Sequence, residues 1–389
     1  MDAVDPLEAG AQALEGVSEA DDLAVRLGLA ISARDVAEAA RRIAPYVKRT
    51  PVTTSSTLDE QVFGRTDDGH AGTVYFKCEN FQKVGAFKFR GACNAVFAQN
   101  QDDLPAAGVI THSSGNHGQA LALAGKLRQI PVTIVVPKGA PKAKVDAMRG
   151  YGAQIVEVDP STRDAATEER VAATGALFVH PSNEPLVMAG QGTLLAEFWA
   201  QVCALQRASS GADAAQMKNE LAPVFDAVVV PVGGGGMLSG VAVVARALLG
   251  PKIRIIAAEP ELADDAARSK AANALQGHRD GKVPQTIADG LRTTLGSNTW
   301  PVVRDVVDEV IVVSESQIVD AMHFAFERMK LVIEPSAAVG LAAVLSDAFK
   351  RDTLQQLPKA PRVGVVFSGG NVSLREALPF QTQITSAKA

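Results

Sequence analysis

The chain has 389 residues, of which 47% are hydrophobic and 5% aromatic, and its formal net charge is −5. That length can bury a sizeable core and points to two domains, while the mildly acidic balance argues against nucleic acid or an anionic membrane as partner. Three cysteines, Cys78, Cys93 and Cys203, are too few and too scattered for a disulfide framework or a zinc site, so they read as buried fillers in a reducing compartment.

Residues 1–30 carry Asp2, Asp5, Glu8, Glu15, Glu19, Asp21 and Asp22. An acidic start of this kind is unlike a secretory or mitochondrial leader, and it predicts a disordered extension ahead of the fold. No apolar run approaches the length of a membrane span, so the expectation is a soluble, cytoplasmic protein. From Ser32 a capped helical pattern runs to Ile43, and extended and helical segments alternate from there to about Ser373. Short β-branched runs recur at 109–111, 132–136, 154–158, 227–230, 254–258 and 362–367. Near-continuous apolar strands between helices predict parallel sheets covered on both faces, an open α/β architecture. The strands from 109 to 158 suggest a small domain at 108–183 inserted between two parts of a large one, 31–107 and 184–375, with a tail at 376–389. The polar stretches 66–72 and 207–220 read as surface excursions.

Four segments carry chemistry. Lys88 lies in Ala86-Phe87-Lys88-Phe89-Arg90-Gly91, where apolar walls disfavour the ammonium form and suit an amine that attacks an aldehyde. The alternative is a surface lysine with its stem packed on Phe rings. Ser113-Ser114-Gly115-Asn116-His117-Gly118 follows a strand and precedes an Ala/Leu helix, offering hydroxyls, an amide and backbone N–H groups to a carboxylate. Gly233-Gly234-Gly235-Gly236-Met237 also joins strand to helix, and glycines let backbone wrap a phosphate; a flexible turn is the alternative. It is neither a dinucleotide fingerprint nor a P-loop. Ser368-Gly369-Gly370-Asn371 closes a fourth strand with a hydroxyl beside a tight turn.

In this order and spacing the four segments resemble the fold-type II pyridoxal-phosphate enzymes, a tryptophan-synthase-β-like fold of two open, mostly parallel twisted sheets flanked by helices. Within them the chain is most similar to the serine racemases and serine/threonine dehydratases, over roughly residues 32 to 374. The resemblance implies that Lys88 holds pyridoxal 5'-phosphate covalently, with Phe87 on the ring face, Asn116 at the ring hydroxyl, Gly233, Gly234, Gly235, Gly236 and Met237 around the phosphate, and Ser368 at the pyridine nitrogen. A neutral hydroxyl there weakens the electron sink, which favours β-elimination or reprotonation over transamination. Substrate would be bound by Ser113, Ser114, Asn116 and His117.

Ser114 is the informative choice, because racemase-like members carry Ser where plain threonine dehydratases carry Ala. It would serve as the second proton carrier opposite Lys88, although helix N-capping is the alternative use of its hydroxyl. The resemblance further implies a divalent cation (Mg²⁺, Mn²⁺ or Ca²⁺) at Glu259, the Ala263 carbonyl and Asp265, as hard oxygen donors suit. It also implies a Mg-ATP site at Ser55, Ser56, Thr57, Lys83, Gln119, Tyr151, Lys330 and Asn371, and a homodimer acting on a small amino acid. The expected activity is interconversion of L- and D-serine together with β-elimination of serine or threonine to pyruvate or 2-oxobutanoate and ammonia. The alternatives are a dehydratase acting mainly on threonine, serine or threo-3-hydroxyaspartate and, from another class, a catalytically silent cofactor-binding regulator. Thr293 departs from the family, standing where Ser is expected near the substrate.

Overall fold

The computed structural model describes residues 4–66, 69–70, 72–100, 102–140, 142–210 and 224–373. Its strands are β1 (Val52–Thr53), β2 (Arg65–Thr66), β3 (Gly69–His70), β4 (Thr73–Cys78), β5 (Val109–His112), β6 (Val132–Pro137), β7 (Gln154–Val158), β8 (Leu177–Phe178), β9 (Ala227–Pro231), β10 (Arg254–Pro260), β11 (Glu309–Val313) and β12 (Arg362–Phe367). A six-stranded sheet runs β1-β4-β12-β9-β10-β11, and a four-stranded sheet runs β7-β6-β5-β8. Every described pairing in the two sheets is parallel except β1 with β4. The third pair, β2 with β3, is a short antiparallel hairpin within the expected surface stretch at 66–72.

The apolar strand runs explain the layering. Successive residues point to opposite faces, so Val228 and Val230 enter one core while Ala227 and Val229 enter another, and Ile255 and Ile256 divide in the same way. Helices Lys88–Phe97, Pro185–Ser210 and Gly236–Leu249 supply the first core, and helices Glu315–Phe324 and Pro335–Leu345 the second. Both faces of the sheet are therefore dry. β4 and β11 were not among the strands read from the sequence; TVYFKC is a mixed run that hides an extended segment, whereas EVIVV carries the same β-branched signal as the other strands. The three cysteines are free and buried, as expected.

The acidic start is not a disordered extension where it is described. Residues Pro6–Glu15 form a helix whose Asp5 cap accepts from Leu7 N and Glu8 N. Its Leu7, Ala11 and Leu14 are buried, and Gly10 lies against Ala196 of the long helix Pro185–Ser210, where a Cβ would meet Ala196 Cβ at 2.9 Å. Acidic residues sit at caps and on the outer face, so net charge concealed an apolar stripe at helical spacing. In the other polar stretch, Arg207 to Ser210 continue the long helix, and residues 211–223 lie outside the described residues.

Candidate active site

The carboxyl ends of β4, β5, β9, β10 and β12 each run into a loop that opens a helix or a turn, which is where open parallel sheets bind ligands. Between β4 and helix Lys88–Phe97, the loop is clamped at both ends by one buried ion pair. Arg90 donates from Nε and Nη2 to the two Glu79 oxygens at 2.8 Å each, and from Nη2 to Glu197 at 3.1 Å. Lys77 completes the network on Glu197 at 2.5 Å and on Gln201 at 2.7 Å. Four charges with no solvent contact are tolerable only because each has a partner. Within the loop Val84 has φ of 57°, a conformation a β-branched residue avoids, and its carbonyl accepts from Asn371 Nδ2 at 2.8 Å.

Lys88 is the first residue of its helix and is not a surface lysine. Its Nζ donates to the Pro181 carbonyl at 2.7 Å and lies 5.2 Å from the Phe87 ring centre. Burial pushes its pKa down from 10.5 to about 8, with no carboxylate partner to restore it. Facing it is a glycine cup. A Cβ on Gly234 would fall on Ser182 Oγ, one on Gly236 would meet the Ser182 carbonyl at 2.6 Å, and one on Gly233 would meet Leu291 Cα at 2.9 Å. Gly235, with φ of 81°, caps helix Gly236–Leu249 without a side-chain bond. Amides at the start of a helix are backbone donors of the kind that takes an anion. Thr293, the family departure, meets this cup: its Oγ1 accepts from Gly234 N at 3.0 Å.

After β5, the helix Asn116–Arg128 takes Gly115 as N-cap with no side-chain cap bond. The Ser114 hydroxyl is therefore not used for capping, whereas Ser113 Oγ accepts from Gly115 N at 3.3 Å. Asn116 is held from two sides: its Nδ2 donates to Glu334 Oε1 at 2.7 Å and its Oδ1 accepts from Asn371 at 2.9 Å. His117 is buried with Nε2 at 3.4 Å from the Val179 carbonyl, and burial holds its pKa well below the usual value, so it is a neutral ring turned into the fold. Ser368 is buried at the end of β12, and its carbonyl accepts from Phe87 N at 2.9 Å. That bond ties the Lys88 loop to the fourth segment.

Glu259, at the end of β10, is buried and accepts from Ala266 N at 3.1 Å and Ala267 N at 2.7 Å; Asp265 accepts from Leu295 N at 2.9 Å. Burial raises Glu259 to about 8 and Asp265 to about 6, and Arg268 is paired with Asp264 instead. Two buried carboxylates without an ion-pair partner among the described residues, beside the buried Ala263, fit a hard divalent cation. No group of three or more His, Cys, Asp or Glu side chains among the described residues forms a metal cluster, so carbonyl and water would complete the shell.

The proposed nucleotide residues do not form one hydrogen-bonded group. Ser55 Oγ accepts from Leu58 N as a helix cap, Lys83 lies over the Phe89 ring at 5.6 Å, and Lys330 bonds the Glu327 carbonyl. Asn371 belongs with Asn116. Ser56, Thr57, Gln119 and Tyr151 have no described bond to any of these.

Sequence reasoning missed two participants. Glu334 is buried against Asn116 and has its pKa raised to about 7, chiefly by burial and then by Asp289; a Glu-Pro pair opening a helix apolar but for Ser336 was the available signal. The turn Pro181-Ser182-Asn183 follows β8, a strand too short to read, and it receives both Lys88 and the glycine cup.

A part-buried amine of lowered pKa, a glycine run at a helix start and a buried hydroxyl at a strand end suit an enzyme site for an aldehyde-bearing, phosphorylated cofactor. Residues 43–369 match the model of the pyridoxal-phosphate dependent enzymes, and the chain belongs to that family. Serine racemase from Oryza sativa subsp. indica is 45% identical over 354 residues, covering 89% of this chain and 93% of the relative. The solved structure of maize serine racemase superposes with a TM-score of 0.78 at 43% identity, covering 92% of this chain and 98% of that one. The T.th. threonine deaminase superposes with a TM-score of 0.74 at 36% identity over 88% of this chain and 99% of its own.

Proposed function

We propose that this chain is a pyridoxal-phosphate-dependent serine racemase that also releases pyruvate from serine and 2-oxobutanoate from threonine by β-elimination. What supports the reading is a Lys88 amine with pKa of about 8 together with a Ser114 hydroxyl that caps no helix, the two groups that the resemblance to serine racemases assigns as proton carriers. Racemisation needs one carrier on each face of the α-carbon, and a plain dehydratase needs only one. The serine racemase relatives, more similar than the threonine deaminase, support the same choice.

In this mechanism the amides of Gly233, Gly235 and Gly236 would hold the phosphate, that of Gly234 being already given to Thr293; Asn116, held between Glu334 and Asn371, would orient the ring, and Ser368 would offer the pyridine nitrogen a neutral hydroxyl. Pyridoxal phosphate, when bound, supplies the electron withdrawal that acidifies the substrate Cα–H. Lys88 Nζ takes that proton from L-serine and the Ser114 hydroxyl returns one to the opposite face, giving D-serine. If the β-hydroxyl departs before reprotonation, it leaves as water with the proton that Lys88 took, the Cα–H electron pair becomes a Cα=Cβ bond, and hydrolysis of the enamine gives pyruvate and ammonia. Glu259, the Ala263 carbonyl and Asp265 would hold Mg²⁺, Mn²⁺ or Ca²⁺, whose charge neutralises the two buried carboxylates. Activation by Mg-ATP, a homodimer and a cytoplasmic location complete the reading; no described helix is long and apolar enough to cross a membrane.

The test is incubation of the cofactor-loaded protein with L-serine, D-serine, L-threonine and threo-3-hydroxyaspartate, with enantiomers and keto acids measured together. D-Serine from L-serine supports the proposal. Keto acid without any enantiomer would replace it with a dehydratase, and no turnover with cofactor bound would make the chain a silent binder.

A further inference from the structure

The turn after β8 has no regular backbone pairing of its own, yet two catalytic elements lean on it. Its amides are satisfied by a side chain: His180 Nδ1 accepts from Ser182 N at 3.1 Å and from Asn183 N at 2.8 Å. This is the hydrogen-bond pattern of an Asx turn with an imidazole nitrogen in place of the carboxamide oxygen. The three residues so folded each hold something. The Pro181 carbonyl takes the Lys88 amine, Ser182 forms the wall that only glycine tolerates at 234 and 236, and Asn183 accepts from Asn298 N at 2.8 Å.

We propose that His180 is a positioning residue whose Nδ1, as acceptor for two turn amides, sets the Pro181 carbonyl for Lys88 and Ser182 for the phosphate cup. The proposal rests on the cofactor assignment above. Only an unprotonated Nδ1 can accept, and burial, with His112 and Lys88 nearby, pushes the His180 pKa down to about 4. The charged and titratable groups around the ring are His112, at 5.7 Å between ring centres, His117, Lys88, Asp164 and Arg163, and Phe178 packs edge-on at 5.9 Å.

The holoenzyme tests this by cofactor retention and not by turnover. In His180→Phe the ring volume remains but the acceptor is lost, and the cofactor dissociation constant should rise about tenfold, the effect of losing one side-chain cap. In His180→Asn, Oδ1 can accept from the same two amides, so the constant should return to within about threefold of the parent. A merely space-filling role predicts the reverse order. If His180→Phe does not fold, cofactor release on acidification serves instead. The parent should release cofactor as pH falls from about 6.5 toward 4 and His180 protonates, whereas His180→Asn should lack that step. Equal retention by parent and His180→Phe, His180→Asn no better than His180→Phe, or identical release curves for parent and His180→Asn would overturn the proposal. A parent that binds no cofactor would instead sink the functional reading.

Discussion

Lys88 gives the sharpest prediction, because its proton affinity follows from a short list of neighbours. The Phe87 ring at 5.2 Å attracts an ammonium by about 0.5–1 kcal/mol, less than one pKa unit. Water exclusion acts the other way and wins, taking the group from 10.5 to about 8. At pH 7.5 roughly a quarter of the amines are then free, against roughly one in a thousand for an exposed lysine, a gain of about two hundredfold in reactive species. Apoprotein mixed with pyridoxal phosphate in a stopped-flow absorbance experiment should capture the cofactor at a rate that rises with pH, reaches half its maximum near 8 and levels off above about 9. Lys88→Met should abolish the covalent phase. A rate in the parent that climbs steadily through pH 10 would refute the reasoning, since the amine would then have an ordinary proton affinity.

Ser114→Ala should lose at least about a hundredfold in L- to D-serine conversion while keeping elimination from L-serine within about tenfold, read by chiral chromatography and a keto-acid assay; equal loss of both would remove the two-carrier scheme. Chelation should lower activity and the unfolding temperature, and Mg²⁺ should restore both; indifference to chelator and Mg²⁺ would exclude a cation at Glu259 and Asp265. Glu197→Leu leaves Lys77 and Arg90 sharing one carboxylate in a dry core, and denaturant unfolding should show a loss of about 3–5 kcal/mol; a loss under about 1 kcal/mol would mean the network is not holding the loop. For Glu334 the folded pKa is raised, so the protonated form is the favoured one: stability is fully present below the unfolded value of 4.5 and falls as pH rises through about 7. Glu334→Gln should flatten that slope in unfolding curves taken from pH 5 to 8, and an unchanged slope would assign the titration elsewhere.

Much of the architecture was legible because parallel strands buried on both faces carry apolar, β-branched centres, as in β6, β9, β10 and β12, while β7 kept its Ile155-Val156 signal although both its faces are partly exposed. The helix from Ala33 was announced by Ser32 and Asp35, which form a capping box. β4 was not, since its mixed run carries no clear period, while the β-branched run of β11 was a readable signal. The helix at Pro6–Glu15 was masked by charge, because composition averages over faces that folding separates.

The same division holds at the site. Local chemistry named Lys88, Ser114, the glycine run and Ser368, since an amine, a hydroxyl or a bare backbone is a property of the residue wherever it lies. What the residue does with its neighbours is set by non-local packing. Whether Lys88 is charged depends on water excluded by segments 93 residues away, at Pro181. Asn116 gains its orientation from Glu334, 218 residues on, and Ser182 explains why Gly234 and Gly236 admit no side chain. Sequence by itself determined which reactive groups the chain carries and the strand ends they follow. Tertiary structure alone decided their protonation and aim, because desolvation and hydrogen-bond geometry arise only when distant segments close over one another.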